Sequence, residues 1–113
     1  INRVTMNLTW TSTYLERERR IYCSSATVRV FPYELVQRTN RRTFTLELTP
    51  EMQIKDVKMQ VEGETQIRAE RQRLFIGRAE LQDDMAVDDC LREYGDVDDF
   101  GRYSLNNICD TER

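Results

Sequence analysis

The chain has 113 residues, 39% hydrophobic and 33% charged, with a net charge of −3, which fits one domain around a modest core. No stretch approaches the roughly 20 apolar residues that span a bilayer. With no histidine in the sequence, Ser–His and Cys–His nucleophilic pairs and histidine-ligated metals are excluded within this chain.

Val4, Met6, Leu8 and Trp10 alternate with Thr5, Asn7, Thr9 and Thr11, a period of two that predicts a strand over residues 3–11. Residues 15–20 are charged and fit either a short helix or an exposed connection. Val28, Val30, Phe31, Tyr33, Leu35 and Val36 predict a second strand, and Pro32, with no amide to donate, demands an edge, a bulge or a strand end. A turn around Asn40 leads to the strand Thr43-Phe44-Thr45-Leu46-Glu47-Leu48, with Phe44, Leu46 and Leu48 on one face.

Thr49-Pro50 breaks that strand. Ile54, Val57 and Val61 then mark a helix with one apolar stripe. Its start is open: Thr49 with Pro50 at the first helical position is a sound cap, and Gln53 a poor one. Gly63 is expected to end or loosen the last turn. Leu74-Phe75-Ile76 is a short strand closed by Gly77, with Leu81 as an apolar anchor. Asp83, Asp84, Asp88 and Asp89 read as a solvated acidic loop whose spacing does not match an EF-hand. Residues 102–108 form the last strand, with Tyr103 and Leu105 inward. The fold class is α+β, one main helix across a mixed sheet.

The odd, widely spaced Cys23, Cys90 and Cys109 read as reduced packing thiols, not as a disulfide framework or a zinc site. The first residues show neither an initiator methionine nor a secretory core, so the segment is expected to come from a longer intracellular protein, cytoplasmic or nuclear. Residues 16–42 carry seven arginines against three glutamates, and residues 80–112 eleven acids against two arginines, local balances of +4 and −9. Such polarity orients a partner on encounter. Without interleaved aromatics it does not predict nucleic-acid binding.

Thr43 to Leu48, Ile54-Lys55-Asp56-Val57-Lys58, Gln72-Arg73-Leu74-Phe75-Ile76-Gly77, Leu81 and Leu91-Arg92-Glu93-Tyr94-Gly95 keep an order and spacing that resemble ubiquitin and its ubiquitin-like relatives. The resemblance covers about residues 26–109 and implies a β-grasp fold. It leaves residues 1–25 as an N-terminal extension and 110–113 as a tail. It further implies that Tyr94 is the tyrosine whose hydroxyl ties down the loop before the last strand.

Three departures shape the functional expectation. The chain runs to Ile108-Cys109-Asp110-Thr111-Glu112-Arg113 without a glycine pair, has only Lys55 and Lys58, and carries Ala79 where ubiquitin has a principal chain-forming lysine. Conjugation and polyubiquitin-type signalling are therefore not expected. At the positions of ubiquitin's receptor-binding patch stand Phe75 and Gly77, then Ser104 and Asn106, with Arg73 and Arg78 beside Phe75. The reading is a non-catalytic protein-interaction module of a larger protein that docks through Arg73, Phe75, Gly77, Arg78, Ser104 and Asn106. Its expected partner is a protein: a ubiquitin receptor, a proteasome-type component or an assembly neighbour. No nucleic acid, membrane, small-molecule substrate, cofactor or metal is expected. The alternative is a structural scaffold subunit of a large multiprotein assembly, with residues 1–25 extending along a neighbour or completing the sheet. Weaker resemblances point to GTPase binding through Arg38, Arg41 and Arg42, and to tubulin-folding cofactors through residues 94–102.

Overall fold

The computed structural model describes residues 4–31 and 43–111. The alternating segment at the start becomes β1 (Val4–Leu15), which folds back through a four-residue turn into β2 (Arg20–Phe31). The charged stretch is thus the tip of a long hairpin, with Arg19 in the left-handed region at φ 52°. Ser24 is an extra residue opposite the Thr11/Ser12 step. That bulge explains why Cys23 and Ala26, three apart, are both buried, because the extra residue resets the period-two phase.

The remaining elements are β3 (Thr43–Glu47), α1 (Ile54–Thr65), a 3-10 turn, β4 (Gln72–Ile76), β5 (Ala79–Glu80), α2 (Val87–Tyr94), β6 (Asp96–Val97) and β7 (Tyr103–Thr111). Among the described residues the sheet runs β3-β2-β1-β7-β4-β5, with β6 on β7. Each described ladder is antiparallel. β2 and β7 therefore run in the same direction, with β1 between them.

The division of the chain at residue 25 does not survive this topology. β2 crosses that boundary, and β1 is an inner strand paired to β2 on one side and β7 on the other. Val4, Met6, Leu8 and Trp10 are fully buried, so their strand needs paired neighbours on both sides to satisfy its backbone. Nor do Asp110 and Thr111 lie in a free tail. Asp110 and Thr111 belong to β7, and the Thr111 hydroxyl donates to the Val4 carbonyl at 3.0 Å and accepts its N–H at 3.2 Å. The tyrosine of the turn segment also differs: Tyr94 ends α2 part-exposed, and no hydrogen bond to its hydroxyl forms among the described residues. The predicted turn around Asn40 and the strand beyond Phe31 lie outside the described residues.

α1 starts after Gln53, whose N–H donates to the Asp56 carboxylate at 2.8 Å. The poorer cap wins because the third helical residue reaches back to it. Gly63 lies inside the helix, and the left-handed residue that ends it is Gln66, at φ 62°. Ile54, Val57 and Val61 face the sheet as expected, and Lys58 is buried beside them. Its ammonium pairs with Asp83 at 2.5 Å.

The acidic segment contains a second helix. Asp88 and Asp89 sit in its first turn and Arg92 in its last, both favourable to the helix dipole, and Val87 and Leu91 form an i, i+4 apolar pair facing the sheet. Asp88 is buried rather than solvated, accepting the Cys23 N–H at 2.6 Å.

The core lies between the two helices and the inner sheet face. One inner-face side chain is misplaced by ordinary rules: Asn107, 4% exposed, has neither amide atom hydrogen-bonded among the described residues. An unpaired buried amide costs about 1–3 kcal/mol. Asn107→Val, which also suits a strand, is expected to raise the unfolding free energy by about that amount. Urea denaturation with an unchanged m-value checks it; a loss of stability would mean that the amide makes a hydrogen bond within the fold.

Candidate docking face

The outer sheet face carries the other half of each strand's alternation: Thr5, Asn7, Thr9, Thr11 and Thr13 on β1, Thr27, Arg29 and Phe31 on β2, and Ser104, Asn106, Ile108 and Asp110 on β7. Because β1 joins the sheet edgewise, residues 4–25 do not cover this face. β4 pairs Arg73 with Asp110 and Phe75 with Ile108. Phe75 is half-buried, whereas Ile108 is 49% exposed. Together they form a small apolar patch across two strands, of the kind that aromatic and aliphatic cross-strand pairs stabilise.

Arg73 orders the patch from one side. Its guanidinium lies over the Phe75 ring, 5.0 Å from the centroid, and Nη2 donates to Glu80 Oε1 at 2.7 Å. That bond holds the Glu80 carboxyl below the usual carboxylate range. Gly77 and Arg78 make the tight β4–β5 turn, where Gly77 takes φ +60°. A side chain there would be strained, although nothing crowds the position.

The expected residues therefore divide into groups. Arg73 and Phe75 meet each other; Gly77 and Arg78 sit in the adjoining turn. Asn106 and Ser104 share the face but lie further along β7, opposite Thr9 and Thr11 of β1. Ile108 is the member that sequence reasoning left out. The signal was present, since alternation from inward Leu105 sends Asn106, Ile108 and Asp110 outward together.

Other chemistry is quiet. The three thiols are buried, and burial pushes Cys23 and Cys109 up to about 12 and Cys90 to about 11. Almost no thiolate exists at neutral pH, so these are packing groups. Among the described residues no cluster of carboxylates and cysteines is arranged to hold a metal ion. No helix among them is long and apolar enough to cross a membrane.

A family model described as the ubiquitin family matches residues 27–97. Comparison with curated proteins and with solved structures gives no match. The matched stretch runs from within β2 through β3, α1, β4, β5 and α2 to β6, the α+β core in which the helices pack on one side of the sheet. It covers more than half of the sequence, and the chain belongs to the ubiquitin family.

Proposed function

We propose that this ubiquitin-like domain is a non-catalytic protein-interaction module, one part of a larger intracellular protein, that docks through the outer sheet face with Phe75 and Ile108 at the centre. The observation that carries the reading is the edgewise entry of β1, which leaves exposed Ile108 and half-buried Phe75 side by side next to an arginine already held in place. Aromatic and arginine side chains dominate interface hot spots. Gly77, Arg78, Ser104 and Asn106 supply the polar surroundings, and a ubiquitin receptor or proteasome-type component is the partner class that suits this surface.

The scaffold alternative drew its force from a strand in need of a neighbour's sheet. β1 is paired along both sides within this chain, so this strand completes the sheet and does not need a neighbour's edge. Arg38, Arg41 and Arg42, on which GTPase binding rests, lie outside the described residues. The segment similar to tubulin-folding cofactors forms the end of α2, β6 and a turn that exposes Phe100, which does not single out a partner.

The test is a side-by-side pull-down with wild type, Phe75→Ala and Ile108→Ser. Each variant is expected to fold with an unchanged circular dichroism spectrum and to bind its partner at least about tenfold more weakly. A single stoichiometric complex recovered equally by all three proteins would place the docking surface elsewhere. Unfolding of Phe75→Ala would make that ring a core group.

A further inference from the structure

Next to the Phe75–Ile108 pair the outer face dips into a shallow depression of about 510 Å³, lined by Asn7, Thr9, Thr27, Arg29, Thr43 and Asn106, with Ile108 as its wall toward Phe75. The strand register sets these side chains in two adjoining rows. Ile108, Asn7, Arg29 and Thr43 stand opposite one another in the first, and Asn106, Thr9, Thr27 and Thr45 in the second.

Three features define what the hollow can hold. First, among the described residues no lining side chain is acidic, in a chain whose net charge is −3. Second, Arg29 lies over the Phe31 ring, 5.0 Å from the centroid, and forms no ion pair among the described residues. Third, the Thr9 hydroxyl donates to Asn106 Oδ1 at 2.7 Å, which turns that oxygen toward Thr9 and leaves the amide's N–H groups to donate.

The surface is therefore rich in donors: a guanidinium, two amides and the hydroxyls of Thr27 and Thr43, spread over four strands. Such a hollow complements a compact anion with several acceptors. A phosphate monoester brings three acceptor oxygens and nearly two negative charges, and an arginine without a carboxylate partner is suited to meet it. A carboxylate offers two oxygens and a single negative charge, a poorer match to so many donors. We infer that the depression around Arg29 binds a phosphoryl group carried on a side chain of a protein partner. That the bearer is a protein rests on the docking role proposed above; the anion site itself does not.

The test is a titration of the ¹⁵N-labelled full chain with N-acetyl-O-phosphoserine amide, followed by amide chemical shifts. Saturable shifts are expected around Asn7, Arg29, Thr43 and Asn106. Arg29→Gln should weaken them at least about tenfold, and Thr27→Val, a second variant that keeps the strand, should weaken them too. N-acetylglutamate amide should bind at least about tenfold more weakly than the phosphoserine probe. Linear shifts that never saturate, equal affinity in Arg29→Gln, or equal affinity for the glutamate probe would each overturn the assignment. Phe75→Ala should keep full affinity for phosphoserine, so failure of the Phe75 docking centre and failure of this site are read separately.

Discussion

Trp10→Ala is expected to lower the unfolding free energy by about 3–5 kcal/mol, a large share of the roughly 5–15 kcal/mol that holds a domain together. Trp10 is fully buried and stands opposite Ala26 of β2 and Leu105 of β7. The small alanine beside it leaves room for the indole, so truncation opens a cavity that no neighbour can fill. The one unfavourable feature is Nε1, which has no hydrogen-bond partner among the described residues. Trp10→Phe keeps most of the volume and removes that orphan donor, so it is expected to stay within about 1.5 kcal/mol of wild type. Since this is the only tryptophan, urea transitions are best followed by circular dichroism. A cost below about 1 kcal/mol for the alanine variant would mean that β1 does not belong to the core. The outer face would then have a different shape.

The apolar residues from Thr43 to Leu81 were legible because they serve one pattern, whereas the ends of α1 and the burial of Lys58 were not. Phe44, Leu46 and Leu48 alternate toward the helices, and Ile54, Val57 and Val61 return the contact. The role of β1 was not legible, although its period of two was plain. Alternation says which side chains face the core, not where in a sheet a strand lies, and an inner position can be read only from pairing on both edges. The same limit hid Ile108, which gains meaning when β4 brings Phe75 opposite it. α2 was missed because Asp88 and Asp89 read as solvent-facing loop residues. In the fold they mark a helix start, with Asp88 turned inward to the Cys23 amide. β1 and β7 both lie wholly outside the family match, yet they pair with each other between β2 and β4. The part of this chain that is least like its family is what joins the two flanks of the sheet.

Gly95→Ala tests that junction from the other side. Gly95 caps α2, its N–H donating to the Leu91 carbonyl at 2.8 Å, and its backbone is extended at φ −78° and ψ 158°. Any residue adopts that conformation, so the usual reason for glycine after a helix does not apply. Space is the reason. A Cβ at this position would stand 2.3 Å from the Leu91 carbonyl oxygen and 2.8 Å from that of Ser104, both backbone atoms. Neither can rotate away as a side chain would, so the methyl group must push the end of α2 away from the start of β7. A cost of about 3 kcal/mol or more is expected, the upper range for overpacking. Gly63→Ala is the matched control: it lies within α1 with nothing within 4 Å of the new carbon, and should gain about 0.5–1 kcal/mol from helix propensity alone. Opposite signs in the two urea midpoints would locate the effect in the α2–β7 approach. Equal small changes would mean that the two backbones are not pressed together. Because β7 also carries Asn106 and Ile108 outward, moving its first residues should weaken partner binding from the opposite side of the sheet, without any change to a side chain on the docking face.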